Sequence, residues 1–292
     1  MAARTREGVG WYVRAVLVVN VRSRRGREIG ALARRELAAR GVEVIPFERT
    51  RSSVATPACD CIVAVGGDGT LVGLIARAMR ANVPIGLVPA GTFNELARTL
   101  GVPIDVGAAC DVIVAGHTRA IDVAEVNGVR YINEASIGVS TRAARLQTSE
   151  LKRRFGFLAI VGTALRALRY SQPMFAEVTY DGTVASFKTI QLTIANSHRF
   201  GGMFEVADAA IDDGWLDLYS FQIDRFWEAF GVARVLLQGK RETVPGLRSI
   251  RSKRFDIRQH RRHHIVADGE PAGKTPATFR LQPKALRVLV PE

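Results

Sequence analysis

The chain has 292 residues, 47% of them hydrophobic and 24% charged, with a formal net charge of +13. That length suffices for one large core or two ordinary domains, and the composition excludes a disordered chain. An apolar run of the roughly 18 residues that span a bilayer is absent, and the polar start Met1–Gly10 lacks the apolar stretch of a secretion signal, so a cytoplasmic protein is expected.

In chain order, Ala15–Asn20 is apolar and β-rich and predicts a buried strand. Arg27–Arg40 carries Ile29, Leu32, Ala33 and Leu37 at helical spacing and is closed by Gly41. Val42–Phe47 predicts a second strand. Cys61–Val65 predicts a third, followed by a glycine-rich corner and a helix over Leu71–Arg80. Ile85–Val88 predicts a fourth strand, then another glycine corner and a helix over Asn94–Leu100. This alternation means a parallel sheet with crossover helices, a Rossmann-like α/β domain over residues 12–122. Right-handed crossovers place its strand-to-helix corners on one sheet edge.

The pattern then changes. Ile121–Val126 and Val129–Ile132 flank Asn127-Gly128, a hairpin signal. Thr141–Tyr170 is basic and amphipathic and predicts two helical pieces broken near Gly156. Short strands follow at Ala176–Tyr180, Phe187–Ala195, Trp215–Phe221, His264–Ala267, Thr278–Leu281 and Leu286–Val290, with a helix over Arg225–Gln238 among them. Asp181-Gly182 and Asp268-Gly269 mark turns. The fold class is α/β plus all-β: the α/β domain is followed, over residues 123–292, by an antiparallel β-sandwich with helical insertions.

The basic excess predicts an anionic partner: nucleic acid, a membrane surface or a phosphorylated ligand. Aromatics are few and do not interleave with the basic runs, which argues against nucleic acid. Cys59, Cys61 and Cys110 are odd in number and lack zinc-site spacing; Cys61 opens an apolar run and reads as core.

Two corners carry the chemistry. Gly66-Gly67-Asp68-Gly69-Thr70-Leu71 follows a buried strand and opens a helix. Glycines allow close backbone approach, and a helix start offers N–H groups and the positive end of the dipole, so this corner can cradle phosphate. Asp68 would repel phosphate unless a cation lay between them, which points to Mg²⁺. One βαβ unit later, Pro89-Ala90-Gly91-Thr92-Phe93-Asn94 makes a second such corner on the same edge. There Thr92 or Asn94 can cap the helix, or Thr92 can bond a nucleotide. No Gly-Lys-Ser/Thr follows, so this is not a Walker loop.

With these motifs the sequence resembles the diacylglycerol kinase catalytic-domain family, which includes soluble bacterial lipid kinases and is related to sphingosine and ceramide kinases. The resemblance runs from about Arg14 to Pro291. Asn20-Val21-Arg22-Ser23-Arg24-Arg25-Gly26 is a loose form of the family's opening loop. Gly66–Thr70 matches Gly-Gly-Asp-Gly-Thr in full, and Pro89–Arg98 matches the second glycine loop. Gly201-Gly202 followed by Ile211-Asp212-Asp213-Gly214-Trp215-Leu216-Asp217 resembles the acidic metal loop, and Asp268-Gly269-Glu270 the closing motif.

What the resemblance implies is a two-domain kinase with its active site between the domains. ATP contacts fall on Asn20, Thr50, Gly66, Gly67, Asp68, Gly69, Thr70, Leu71, Val72, Gly73 and Thr92. A Mg²⁺ ion falls on the carbonyls of Ala210 and Trp215 and the carboxylate of Asp213, so EDTA should destabilise the fold. Glu270 corresponds to the catalytic base, although taken alone it reads as an exposed turn residue. Asp68, Glu95 and Asp122 correspond to an acidic network serving a catalytic Mg²⁺. Val72-Gly73 departs from the family's usual Asn-Glu, Val21 from Pro, Glu95 from Asp, and Asp208 from Pro.

The expected activity is transfer of the γ-phosphate of ATP to a lipid hydroxyl, diacylglycerol first among the acceptors. An NAD kinase-like phosphotransferase and a non-catalytic basic binding protein are the rivals. The expected partner is a lipid at an anionic membrane surface, with the protein peripheral on the inner face; a homodimer is compatible with the sequence. Leu151, Phe155, Phe157 and Leu158 could dip into the membrane beside the basic residues of segment 141–170.

Overall fold

The computed structural model describes residues 13–20, 24–47, 56–146, 172–197, 199–200, 204–205, 210–221 and 247–292. Thr50, most of the basic segment 141–170 and the helix expected over Arg225–Gln238 lie outside them. The chain divides into two compact units, Met1–Arg119 with Leu286–Glu292, and Ala120–Ala285.

In the first unit, strands β1 (Arg14–Val19), β2 (Glu43–Phe47), β3 (Cys61–Gly66) and β4 (Ile85–Pro89) form a parallel sheet in the order β2-β1-β3-β4. Val16, Ile62, Val63, Ile85 and Val88 are fully buried. Such unbroken apolar runs suit a parallel sheet covered on both faces. Helices α1 (Arg24–Ala39), α2 (Asp68–Ala81), α3 (Glu95–Thr99) and α4 (Val106–Ala115) supply the cover, through Ala33, Leu37, Ile75, Ala78 and Ala109 among others.

Helix α4 was not foreseen. Its sequence Val-Gly-Ala-Ala-Cys-Asp-Val-Ile-Val-Ala is apolar on nearly every face and shows no stripe of period 3.6. Its ends are nonetheless well marked. The Asp105 carboxylate accepts the Ala108 N–H at 2.9 Å, and left-handed Gly116 closes the helix.

The second unit begins within β5 (Thr118–Val126), which turns through Asn127 and Gly128 into β6 (Val129–Tyr131). Both turn residues have positive φ, 51° and 80°, as a two-residue type I′ hairpin demands. Next come β7 (Glu134–Gly138), α5 (Val139–Leu146), β8 (Met174–Tyr180), β9 (Thr183–Thr189) and β10 (Gln191–Ala195). The short β11 (Arg199–Phe200) and β12 (Phe204–Glu205) pair with each other. Then follow β13 (Leu216–Phe221), β14 (Leu247–Ser252), β15 (Arg254–Gln259), β16 (His264–Ala267), β17 (Glu270–Lys274) and β18 (Ala277–Leu289).

One antiparallel sheet runs β14-β13-β10-β7-β16-β17; a second set runs β18-β15-β8-β9, with β5 also on β18. Their inner faces share one core, with Tyr131, Ile137, Leu192, Ile194 and Leu218 beside Phe255, Ile257 and Phe279. This is the expected all-β half of the fold.

The sequence gives two strands near the C-terminus; the structure has one, β18, bent at Lys284, which takes φ 49°. The residues beyond the bend return to the first unit, where Val288 pairs with Ile85 and the Val290 N–H donates to the His117 carbonyl at 2.9 Å. The tail therefore groups with residues up to Arg119 and not with the second unit. None of the described helices is long and apolar enough to cross a membrane.

Candidate active site

In the first unit the glycine corners share one edge of the parallel sheet. Asn20, just past β1, donates its N–H to the Val65 carbonyl at 3.0 Å, which brings it to the end of β3 beside Gly66. Gly67, extended, precedes α2, and the first turn of that helix leaves N–H groups without intrahelical partners. The Thr70 hydroxyl is buried and, among the described residues, has no hydrogen-bond partner.

The second corner packs directly on the first. A Cβ on Gly67 would lie 2.9 Å from the Gly91 Cα. Only glycine at both positions lets the two backbones touch. Asn94 holds the second corner in shape: its Oδ1 accepts the Gly91 N–H at 2.8 Å, and its Nδ2 donates to the Gly91 carbonyl at 3.1 Å. Asn94 is 7% exposed and left-handed, φ 50°. It precedes α3 but makes no side-chain cap, so its expected capping role is replaced by this return to Gly91. The signal was present in the sequence, because Asn is among the few residues that tolerate the left-handed region.

Thr92 is exposed, and among the described residues its hydroxyl has no protein partner. The Asp68 Oδ1 accepts the Leu96 N–H at 3.4 Å, a long bond that leaves most of the carboxylate available; Glu95 opens α3 on the same edge. Leu71 is buried, Val72 half-buried and Gly73 exposed, all within α2. The structure thus gathers Asn20, Gly66 to Thr70, Thr92 and Glu95 at one edge, while Thr50 lies outside the described residues.

In the second unit the acidic loop runs from Ala210 to Trp215. The Asp213 carboxylate accepts the Ala210 N–H at 3.2 Å and the Trp215 N–H at 3.0 Å, folding the loop around itself. Asp122, 1% exposed, accepts the Gly214 N–H and the Lys284 N–H, both at 2.7 Å. Asp122 therefore fastens the acidic loop to the bend of β18 through backbone contacts. Arg251 forks onto Asp217 at 2.8 and 3.0 Å and stands 3.6 Å from Asp213. Asp217 holds that guanidinium more firmly protonated than usual.

Glu270 begins β17, opposite fully buried Ala267. Its side chain is exposed and, among the described residues, meets no hydrogen-bond donor. The turn before it, Asp268 and Gly269, has φ 44° and 83°. Nearby, Tyr131 is fully buried and its hydroxyl has no hydrogen-bond partner among the described residues; burial raises its pKa, with Asp268 and Glu134 adding to the effect.

Residues 14–126 match the family described as diacylglycerol kinase catalytic domain, and residues 133–290 match the YegS C-terminal NAD kinase beta sandwich-like domain. The diacylglycerol kinase of Bacillus subtilis (strain 168) is 30% identical over 237 residues, covering 80% of this chain and 78% of that protein. The chain belongs to the diacylglycerol kinase family. The Staphylococcus aureus (strain Newman) diacylglycerol kinase is 28% identical over 80% of this chain and 75% of its own. The fold is that of a diacylglycerol kinase crystal structure from Bacillus anthracis str. Sterne, with TM-score 0.77 at 20% identity over 98% and 99% of the two chains. Another crystal structure from that organism gives 0.80 at 22% identity over 99% of each chain. As a diacylglycerol kinase family member, the chain is a phosphotransferase with an alcohol acceptor, a lipid kinase, and not a non-catalytic binder.

Proposed function

We propose that this lipid kinase transfers the γ-phosphate of ATP to the free hydroxyl of a diacylglycerol, giving phosphatidic acid. The contact of Gly67 with Gly91 carries this reading. It brings two glycine corners to one sheet edge at the start of α2, an arrangement suited to a nucleotide triphosphate. The exposed Thr92 hydroxyl is a side-chain group available to it.

Phosphoryl transfer of this kind has a loose transition state, so positioning and charge neutralisation provide most of the acceleration. The helix start and the corner N–H groups bind and orient the phosphates. Asp68, engaged by a single long hydrogen bond, suits the Mg²⁺ that accompanies ATP, which supplies neutralisation of the phosphate oxygens when bound. Glu270, unencumbered, accepts the proton of the lipid hydroxyl late in the transfer.

The acidic loop from Ala210 to Trp215 would hold a second, structural Mg²⁺. Two backbone carbonyls and one carboxylate make an all-oxygen donor set of the hard kind Mg²⁺ takes. Each Asp213 oxygen keeps a lone pair after accepting one N–H. This donor set supports the Mg²⁺ reading, with Arg251 as a competing positive charge. The lipid is met at an anionic membrane surface, a partner suited to the +13 charge.

The test is transfer from radiolabelled ATP to a panel of lipids in mixed micelles with Mg²⁺, the wild-type chain beside Glu270→Gln. Diacylglycerol is expected to give the labelled product, and Glu270→Gln to slow its formation by roughly 10²–10⁴-fold, leaving a measurable residual rate. No product with any lipid would overturn the reading, and an unchanged kcat in the variant would take Glu270 out of the mechanism.

A further inference from the structure

Glu270 has no side-chain partner among the described residues, so its backbone alone sets where its carboxylate stands. That backbone leaves the tip of the β16–β17 hairpin, and hairpin tips fray unless something ties them down. The two-residue turn with positive φ at both positions would be satisfied by Asn-Gly or Gly-Gly as well as by Asp-Gly, so turn geometry does not by itself call for a carboxylate.

The carboxylate has another use. Three consecutive backbone N–H groups converge on it: Ile132 at 2.7 Å to Oδ2, and Asn133 and Glu134 each at 3.0 Å to Oδ1. The Asp268 N–H returns a bond to the Glu134 carbonyl at 2.9 Å. Three convergent N–H groups form a small anion seat, and hydrogen bonds to an ionised acceptor are the strong ones. This seat leads into β7, which is paired on both sides, by β10 and β16, and whose Ala135 and Ile137 are fully buried. The hairpin tip is thereby pinned to an interior strand of its sheet. Farther along β17, Asn127 donates to the Ala272 carbonyl at 3.1 Å and the Lys274 carbonyl at 3.3 Å. That leaves Asp268 as the anchor at the end that bears Glu270.

We infer that Asp268 is the positioning residue for Glu270: its carboxylate, seated on the N–H groups of residues 132–134, fixes the turn that aims the base. This rests on the reading of Glu270 as the base. Asp268 touches neither substrate nor nucleotide in this role; it acts through Glu270.

The experiment is a double-mutant cycle in the full chain, with Asp268→Asn and Glu270→Gln alone and together. Each protein is assayed for kcat and KM with diacylglycerol micelles and ATP, and its Tm is recorded. Asp268→Asn keeps the size and the tolerance for positive φ but turns an NH₂ toward the seat. Since a misplacement near 1 Å costs roughly 10²-fold, kcat should fall by on the order of 10²-fold with KM for ATP unchanged. In the Glu270→Gln background the same substitution should change the residual kcat by less than about threefold, while lowering Tm as much as before. Asp268→Gly, which retains the turn and adds no NH₂, should repeat the result if Asp268→Asn folds poorly. An equal loss of kcat in both backgrounds overturns the inference, because Asp268 would then act apart from Glu270. Full activity of Asp268→Asn overturns it while leaving Glu270 as the base. Full activity of Glu270→Gln removes the base reading itself.

Discussion

Gly67 and Gly91 lie against each other backbone to backbone, so that a Cβ on Gly91 would come 2.5 Å from the Gly67 Cα. Neither glycine has a positive φ, so the constraint is space and not conformation. Gly91→Ala must push the two corners apart, an overpacking that costs about 1–3 kcal/mol. It also displaces the start of α2 from the second corner. Binding of a non-hydrolysable ATP analogue, followed by calorimetry, should weaken by on the order of 10-fold or more. Unweakened binding would mean that the phosphates sit elsewhere.

Asn94 separates conformation from bonding. Asn94→Gly accepts φ 50° at no cost but loses both bonds to Gly91, a loss of about 1–3 kcal/mol. Asn94→Ala loses the same bonds and adds about 1–2 kcal/mol of left-handed strain. Urea denaturation should therefore rank wild type above Asn94→Gly and Asn94→Ala last. Equal stability of the two variants would contradict the strain argument.

On the proposed Mg²⁺ reading of the acidic loop, Arg251 and the ion compete for Asp213. Mg²⁺ should raise Tm and EDTA lower it, with the size of the shift held down by the guanidinium 3.6 Å away. Arg251→Met removes that charge, and the Tm gained from added Mg²⁺ should grow. A gain of the same size in both proteins would show that Arg251 does not oppose the ion, and no gain in either would remove Mg²⁺ from this loop.

The cysteines should be poor nucleophiles. Burial pushes the Cys61 thiol up to about 12 and the Cys110 thiol to about 11, and it raises Cys59 as well. At pH 8 a thiol reagent should modify half-exposed Cys59 first and reach Cys61 and Cys110 only on unfolding. The linkage has a definite sign. The folded pKa values exceed the unfolded value near 9, so this contribution to stability is whole below pH 9 and is lost as pH rises toward 12. Urea midpoints measured from pH 8 upward should fall through that window. A flat profile would contradict the burial of both thiols.

Much of the first unit was legible because its strands are continuous apolar runs and its corners are spelled in glycine. The sites of β1 to β4 and of α2 follow from residue type alone. Helix α4 escaped because its faces do not differ in polarity. Strands β14 and β15 escaped for the opposite reason: Arg248, Arg251, Arg254, Asp256 and Arg258 give them the look of a solvated loop. Strand β17 was hidden by Pro271 and Gly273. At the site, the glycine corners could be read because their chemistry resides in the backbone. The work of Asp122 and Asp268 could not, because each spends its side chain on N–H groups that are distant in sequence. Asp122 shows this plainly, with bonds reaching Gly214 and Lys284.

Strand β18 has a consequence for biosynthesis. The first unit is built from residues up to Arg119 together with Leu286–Glu292, including the pair of Val288 with Ile85. On the ribosome, residues 14–119 emerge long before their last strand is made. The parallel sheet must wait, one edge unpaired, while the whole second unit is synthesised. A chain truncated just short of Leu286 would lack the strand end that pairs with Ile85, and the first unit would stay permanently unfinished.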